Sequence, residues 1–533
     1  MKRYILLSLL AVALFSCRPM SDDLPSYGTK DYNAFSEANK SFAGQFKELW
    51  LAMNENYGIW DYELAHGVDW DEVYTTFLPK FEALDDTVNR KTKVSDAELI
   101  ALYAQFLDSL HDGHLELQIK NRHTGNFLTY MPAKSRLMRE RGEEMNAVEE
   151  NITNLNFYCK LDPDDQLCAG AYDATSSALI VTETVDTVCA RATRAATAYI
   201  EMVNDAGGPN VTNDSLYVAM NRFCADCSSL RGKIESAKED RDSLKWLIYL
   251  YDLVRTHYDI VCAQLDIQLP KIDSKMGTEG LRYIYSAVFN GGIAYLRIGA
   301  FGLLTYLEGA KPADTTSLLY FYHRAVNRVW ENWFDTIQAL SANNELGGII
   351  IDLRNNSGGM LDDNQYVLGA LLPSGGYDSH HMRLKNGIGR LDFAPTVPFH
   401  LPTYGGKHAV ITEEPIVVLG NCRSISMSEM TIWGVKSQPN GYFIGTRTWG
   451  GLSALDDEES AYSQSYSGCF GVYNETSFYG YVPRFVSMFG EDKQILEGVG
   501  ITPDKEVPLD VNYWRTQMRD NQLEAALDYI RAH

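Results

Sequence analysis

Residues 415–430 run PIVVLGNCRSISMSEM, and the fold turns on how they are read. Ile416, Val417, Val418 and Leu419 form a short continuous apolar run, the pattern of a strand buried on both faces. Gly420 and Asn421 close it, and Ser424, Ser426 and Ser428 follow. Glu429, Met430, Ile432 and Trp433 then begin a helix. Small hydroxyl residues therefore stand where a buried strand hands over to a helix, which is where open α/β sheets keep their reactive groups. A helix N-terminus presents unpaired N–H groups and positive partial charge. Two readings are open at this point. Ser424 or Ser426 caps the helix, a role in which serine is favoured. Alternatively, one of them is a nucleophile, with the N–H of the next residue aimed at a developing oxyanion.

Similar units surround this stretch. Gly292–Ile298 alternates as a strand, and Ser317–Leu340 has Ala325, Val326, Val329, Trp330, Trp333, Phe334 and Ile337 on one helical face. Gly347–Leu353, GGIIIDL, is a second buried strand. It runs into the loop Arg354–Gly359 before a helix over 362–372. A third strand is predicted at Tyr442–Thr448, further strands or a hairpin at Tyr473–Met488, and a closing helix at Asn512–Arg531. Repeated strand–loop–helix units imply an α/β core with a mostly parallel sheet and flanking helices. Gly358 and Gly359 follow a buried strand, where the chain turns sharply or meets a ligand closely. They serve either as a plain turn or as a source of one oxyanion contact. Asp352 and Arg354 beside them suit a structural ion pair.

Towards the N-terminus the texture is helical. Phe42, Phe46, Leu49, Trp50 and Met53 recur at helical spacing. Ser95-Asp96-Ala97-Glu98 is a capping box, and an apolar stripe from Leu99 to Leu110 follows it. The stripe stops at His111-Asp112-Gly113-His114, and Leu115, Leu117 and Ile119 then alternate as a strand. The two histidines suit either a solvated helix C-terminus or a functional site. Residues 136–265 read as an inserted helical module. It holds Cys159, Cys168, Cys189, Cys224, Cys227 and Cys262, so disulfide staples are expected if the chain is exported. Cys224-Ala-Asp-Cys227 has no second pair at zinc-ligand spacing, which favours a structural role over metal binding or redox chemistry. No cofactor or metal is called for.

The chain has 533 residues, more than one ordinary core accommodates. Its net charge of −23 disfavours nucleic acid as a partner, since phosphate contact needs a basic face. Residues 1–17 lie outside the fold. Lys2 and Arg3 precede the apolar run Tyr4–Phe15, which is too short to span a bilayer. The ending Leu14-Phe15-Ser16-Cys17 resembles a bacterial lipoprotein lipobox. That resemblance implies a lipid-modified Cys17 and a place in the cell envelope, on the periplasmic or surface side of an outer membrane. Residues 18–39 form a tether, 40–135 a helical unit, 136–265 the inserted module and 266–533 the α/β core.

Five short motifs, in order, resemble those of the tail-specific (C-terminal-processing) serine proteases. Leu110–His114 is similar to their L-x-D-G-H, and Asp352–Gly359 to D-L-R-x-N-x-G-G. Ser424–Glu429 is similar to T-A-S-A-x-E, Gly445–Gly451 to the glycine-rich strand and loop, and Glu497–Asp504 to E-G-x-G-x-x-P-D. The resemblance implies a ClpP/crotonase-like core, a polypeptide substrate and an acyl-enzyme on Ser426. Gly451 stands at the position of the lysine general base, and Lys436 matches no catalytic position. The resemblance is therefore to the branch of the tricorn protease core, which implies His114 as general base. Glu497 is then the orienting acid, with Asp112 as the local substitute and His111 structural. The backbone N–H groups of Met427 and of Gly358 or Gly359 would hold the oxyanion. A water, or a hydroxyl such as Ser424 or Ser428, is available to relay between Glu497 and His114. Gly113 departs from the branch, which has a serine before the histidine. An alternative on the same scaffold is a catalytically inactive ligand- or peptide-binding protein, similar to the retinoid-binding relatives of the family.

Overall fold

The computed structural model describes residues 40–86, 92–142, 225, 284–311, 313, 318–360, 363–371, 376–387, 389–401, 413–453, 470–471, 473–513 and 519–533. The leader, the tether with Cys17, and the inserted module apart from 136–142 and Ala225 lie outside the described residues, as do the module's cysteines. Cys422 is a buried thiol. The chain divides into two compact units. One comprises Met1–Arg136, Met382–Val397 and Ser453–Met488, and the other Leu137–His381, Pro398–Leu452 and Phe489–His533.

The described residues of the first unit include the helices α1 (Phe42–Asn56), α2 (Trp60–Ala65), α3 (Trp70–Asp85) and α4 (Asp96–Leu107). Ser41 caps α1 by accepting from Gly44 N at 2.8 Å, and Ser95 caps α4 by accepting from Glu98 N at 3.2 Å. Aromatic side chains fill the space between the helices. Phe46 stacks on Phe81 with centroids 4.6 Å apart and meets Phe106 edge-on at 5.7 Å. The indole N–H of Trp50 donates to Trp70 O, and that of Trp70 to Trp50 O, so neither buried ring leaves a donor unsatisfied.

Strands β1 (Glu116–Lys120) and β2 (Phe127–Tyr130) pair antiparallel, and the strand Phe478–Tyr481 adds to the other edge of β1 with Ile119 opposite Phe478. Gln45 Nε2 donates to Ser477 O (2.5 Å) and Lys120 O (3.1 Å), tying that strand to α1. Arg390 donates to Asn54 and Asp71. The sequence places residues 382–397 and 478–481 inside the 266–533 core. The structure returns them to the helical unit, because their hydrogen-bond partners are there.

The second unit holds a six-stranded sheet. Its strands are β3 (Ile284–Phe289), β4 (Ile293–Ile298), β5 (Gly348–Asp352), β6 (Ile416–Gly420), β7 (Gly441–Gly445) and β8 (Lys505–Glu506). Their spatial order follows the chain, with β3 antiparallel to β4 and every other pair parallel. Strands β5 and β6 are buried at every position, as continuous apolar runs require. Helix α5 (Leu318–Ala342) covers β3 and β4, α6 (Met427–Lys436) covers β6 and β7, and α7 (Asn521–Ala532) also lies against β6 and β7. Tyr295, Ile350, Val417, Leu419 and Ile444 form one core with Leu523, Ala526, Leu527 and Ile530 of α7. The fold is the expected mostly parallel α/β sheet with flanking helices.

Two elements differ from expectation. The helix over 362–372 is the short Asn364–Val367, and the strand at 442–448 stops at Gly445 because Thr446–Gly451 becomes a loop that supports the site.

Candidate active site

Strand β6 ends at Gly420, and the chain reaches α6 through Asn421–Ile425. The preceding loop, Leu353–Gly359 after β5, lies alongside and is stitched to it. Asn421 Oδ1 accepts from Asn355 N (3.0 Å), and its Nδ2 donates to Asn355 Oδ1 (2.8 Å). Ile425 N donates to Asn356 O at 3.0 Å. Asn356 Nδ2 donates to Ile298 O at 2.9 Å, which fixes this loop to the end of β4.

The three serines take separate roles. Ser424 is fully buried and its hydroxyl donates to Leu353 O at 2.8 Å. Ser428 is equally buried and donates to Asn356 O at 2.8 Å. Neither hydroxyl is available as a relay, so that expectation is corrected: both sew the two loops together. Ser426 is half-buried and stands at the head of α6 with φ 59° and ψ −120°. A non-glycine residue adopts this conformation only when its surroundings impose it. A sharp strand-to-helix turn with a strained serine at its tip is the geometry that lifts a hydroxyl clear of the sheet.

Gly358, at φ +90°, faces this turn. A Cβ there would stand 2.7 Å from Ser426 Cβ and from Ile425 O, and 3.0 Å from Met427 N. Only glycine lets the loop approach Ser426 so closely. The Gly358 N–H donates to Asn356 Oδ1 at 2.8 Å, so it is committed within its own loop and Gly358 contributes by its lack of a side chain. The donors left from the predicted oxyanion set are the N–H groups of Met427 and Gly359.

Behind the turn sits Glu429, fully buried, which the sequence reading did not single out. Its Oε2 accepts from Ser426 N (3.1 Å) and Gly451 N (2.8 Å), and its Oε1 from Gly450 N (2.8 Å) and Thr448 Oγ1 (2.5 Å). Burial pushes its carboxyl up to about 7. The bonds from Thr448, Gly450 and Gly451 pull the other way, and the nearby Glu497 adds to the rise. The sequence did carry a signal for it: Ser426-Met427-Ser428-Glu429 is S-x-x-E, a capping box at a helix start.

Gly451 occupies the position of the lysine base of the serine–lysine branch, and its main chain bonds both Glu429 and, through its O, Ser426 N at 2.9 Å. Lys436 pairs with Asp504. Glu497, 1% exposed, accepts from Leu452 N at 2.7 Å through Oε1. It is no solvated surface carboxylate. Arg141 donates to the carbonyls of Arg447 (2.6 Å) and Thr448 (3.1 Å), pinning the start of the glycine-rich loop. Asp352 and Arg354 form the expected structural pair, buried and joined by Asp520.

Of the predicted site residues, Ser426, Met427, Gly358, Gly359 and Glu497 belong to one unit, and His114 to the other. His114 follows α4 on a turn held by Asp112, whose Oδ1 accepts from His114 N (2.6 Å) and Leu115 N (3.0 Å). Asp112 is therefore a buried turn-former. His111 is structural, with Nδ1 and N both on Glu63 at 2.7 Å. Burial pushes the His114 imidazole down to about 4, so it is neutral near pH 7. Its Nδ1 is buried and has no hydrogen-bond partner among the described residues.

Residues 292–507 match the family model described as Peptidase family S41. A curated relative, the carboxy-terminal-processing protease of Bartonella bacilliformis (strain ATCC 35685 / KC583 / Herrer 020/F12,63), is 30% identical over 180 residues. The match covers 33% of this chain and 35% of that protein's length. A solved structure from Parabacteroides merdae ATCC 43184 is 16% identical and covers 92% of this chain and 96% of its own, with a TM-score of 0.45. The tricorn protease structure is 19% identical over 45% of this chain and 18% of its own, with a TM-score of 0.27.

Proposed function

The chain carries a Peptidase family S41 domain over residues 292–507, and on that premise we propose that it is a serine endopeptidase acting through an acyl-enzyme on Ser426. The observation that carries the reading is the backbone of Ser426, a serine at φ 59° at the mouth of a buried parallel strand. A cap needs no such conformation, since a capping residue normally sits in the extended region. Strain of this kind is tolerated where it positions a reacting group.

The proposed sequence begins with His114 taking the Ser426 hydroxyl proton as the oxygen attacks a peptide carbonyl. The N–H groups of Met427 and Gly359 then receive the oxyanion, each worth about 3 kcal/mol in the transition state. The proton passes to the leaving amine, and water repeats the cycle to free the acid. Glu497 is the acid proposed to orient His114. With the pKa of His114 near 4, its imidazole is unprotonated and able to accept at neutral pH. Exported polypeptides are the substrate class that the leader over residues 1–17 supports.

The test is labelling by a fluorophosphonate probe together with turnover of a quenched peptide mixture. The wild-type chain should label and cleave. Ser426→Ala should lose both, and His114→Ala should lose nearly all turnover, because the members act as a unit. Peptide cleavage by Ser426→Ala at the wild-type rate would remove Ser426 from the chemistry.

A further inference from the structure

We infer that Glu429 is a positioning residue for this reaction: its buried carboxylate holds the Ser426 main chain in its strained conformation and locks it to the loop that carries the Glu497 contact. The inference rests on the reading of Ser426 as the nucleophile.

The geometry is specific to a carboxylate. Four donors converge on two oxygens, and three of the four are main-chain N–H groups that cannot turn round to become acceptors. An ionised carboxylate is acceptor-only and takes all of them, whereas an amide offers one oxygen. These bonds do not merely satisfy a stray charge. Oε2 bridges Ser426 N to Gly451 N, while Gly451 O accepts from Ser426 N in return. The turn and the glycine-rich loop are thus joined by a closed ring of three bonds.

Oε1 then fixes Thr448 and Gly450. Thr448 Oγ1 accepts from Ile501 N at 2.7 Å, and Gly450 O from Gly498 N at 2.8 Å, so the same loop grips the closing motif. Gly450 is at φ +91°, and a Cβ there would stand 2.9 Å from the Gly498–Gly500 backbone. One residue further on, Leu452 N reaches Glu497. A single carboxylate, itself fully buried, therefore sets both the tip of the nucleophile turn and the seat of the proposed acid.

Positioning of this kind changes the rate of the chemical step more than binding, since a small displacement of a reacting group is costly. For Glu429→Ala, kcat should fall at least about a hundredfold with KM within about threefold. Glu429→Gln keeps the shape and the bonds from Ser426 and Gly451 to its remaining oxygen. It should lose the Gly450 bond and fall about tenfold in kcat.

The experiment measures kcat and KM of the full chain on a quenched peptide, fluorophosphonate labelling rates, and amide hydrogen exchange in peptides covering 424–428 and 448–452. The inference predicts faster exchange in both segments of Glu429→Ala and in 448–452 of Glu429→Gln, little change in the β5 strand, and the kcat-over-KM split with Gln intermediate. A variant that melts at a lower temperature while kcat stays within twofold of wild type would make Glu429 a fold element alone and overturn the inference. Unchanged exchange at 424–428 in Glu429→Ala, or at 448–452 in Glu429→Gln, would overturn it as well. If the wild-type chain neither labels nor cleaves, the reading of function fails while the exchange measurement still decides the clamp.

Discussion

Glu429 and His114 are two buried titratable groups whose environments push them in opposite directions relative to neutrality. Burial lowers the imidazole to about 4 and raises the carboxyl to about 7. The group that changes charge near pH 7 is then the carboxylate, not the base. The groups facing it are the N–H of Ser426, Gly450 and Gly451, the Thr448 hydroxyl, and the like charge of Glu497. Protonation would make one of its oxygens a donor among donors and loosen the clamp. Accordingly kcat/KM should decline as pH drops below about 7 in the wild-type chain, and Glu429→Gln should show a flat profile down to about pH 5.

Stability runs the other way. A carboxyl whose folded value exceeds its unfolded one stabilises fully below about 4.5, the unfolded value, and that contribution is lost as pH rises through about 7. Urea midpoints of the wild-type chain should therefore fall between pH 5 and 8 relative to those of Glu429→Gln. A parallel pair of curves would show that the carboxyl does not titrate there. Activity and stability then trade against each other over one pH window, through one side chain.

At the scale of elements, the loop after β5 matters because it lacks a side chain at one position. Gly358→Ala places a methyl 2.7 Å from both Ser426 Cβ and Ile425 O at a φ of +90°. The loop must retreat or the turn must relax. The expected result is at least a tenfold lower labelling rate of Ser426 and a loss of about 1–3 kcal/mol in urea denaturation. Unchanged labelling would show that the loop can move without disturbing the nucleophile.

These elements also show what the sequence could and could not disclose. The apolar runs Ile349–Ile351 and Ile416–Leu419 are strands buried on both faces, and their pattern carries that information locally. The capping boxes at Ser95 and Ser426 are likewise local. The distribution of hydroxyls is not. Ser424, Ser426 and Ser428 look equivalent in the chain, and only the carbonyls of Leu353 and Asn356, about seventy residues away, distinguish them. The return of residues 382–397 and 478–481 to the helical unit is as invisible. Each depends on a long-range hydrogen bond that no periodicity encodes.

At the scale of the whole molecule, the unit that holds Ser426 is closed by its last helix. The Arg354 guanidinium, fully buried at the start of the β5 loop, donates to Asp352, Gln522 and both oxygens of Asp520, which also caps α7 through Gln522 N and Leu523 N. The Asp352 carboxyl is held well below the usual range: burial opposes its charge, but Arg354 and Arg297 outweigh that. One arginine thus links the loop beside the nucleophile to a helix some 170 residues further along. Helix α7 in turn covers Val417, Leu419 and Ile350 of the central strands.

Asp520→Ala would leave Arg354 with Asp352 as its remaining carboxylate partner in this network, and it would strip two N–H groups of their cap. Removing one partner from a buried ionic group costs about 3–5 kcal/mol, and losing a cap about 1 kcal/mol. Asp352 moderates the first cost, so a total near 3 kcal/mol is expected from urea denaturation of the full chain. Asp520→Asn retains an acceptor for the cap and should lose less. Because Arg354 leads directly into Asn355 and Asn356, which bond the Asn421–Ile425 segment, the same variant should also slow fluorophosphonate labelling at temperatures where it remains folded. A destabilised Asp520→Ala chain that still labels at the wild-type rate would mean that α7 supports the core without helping to hold the nucleophile turn.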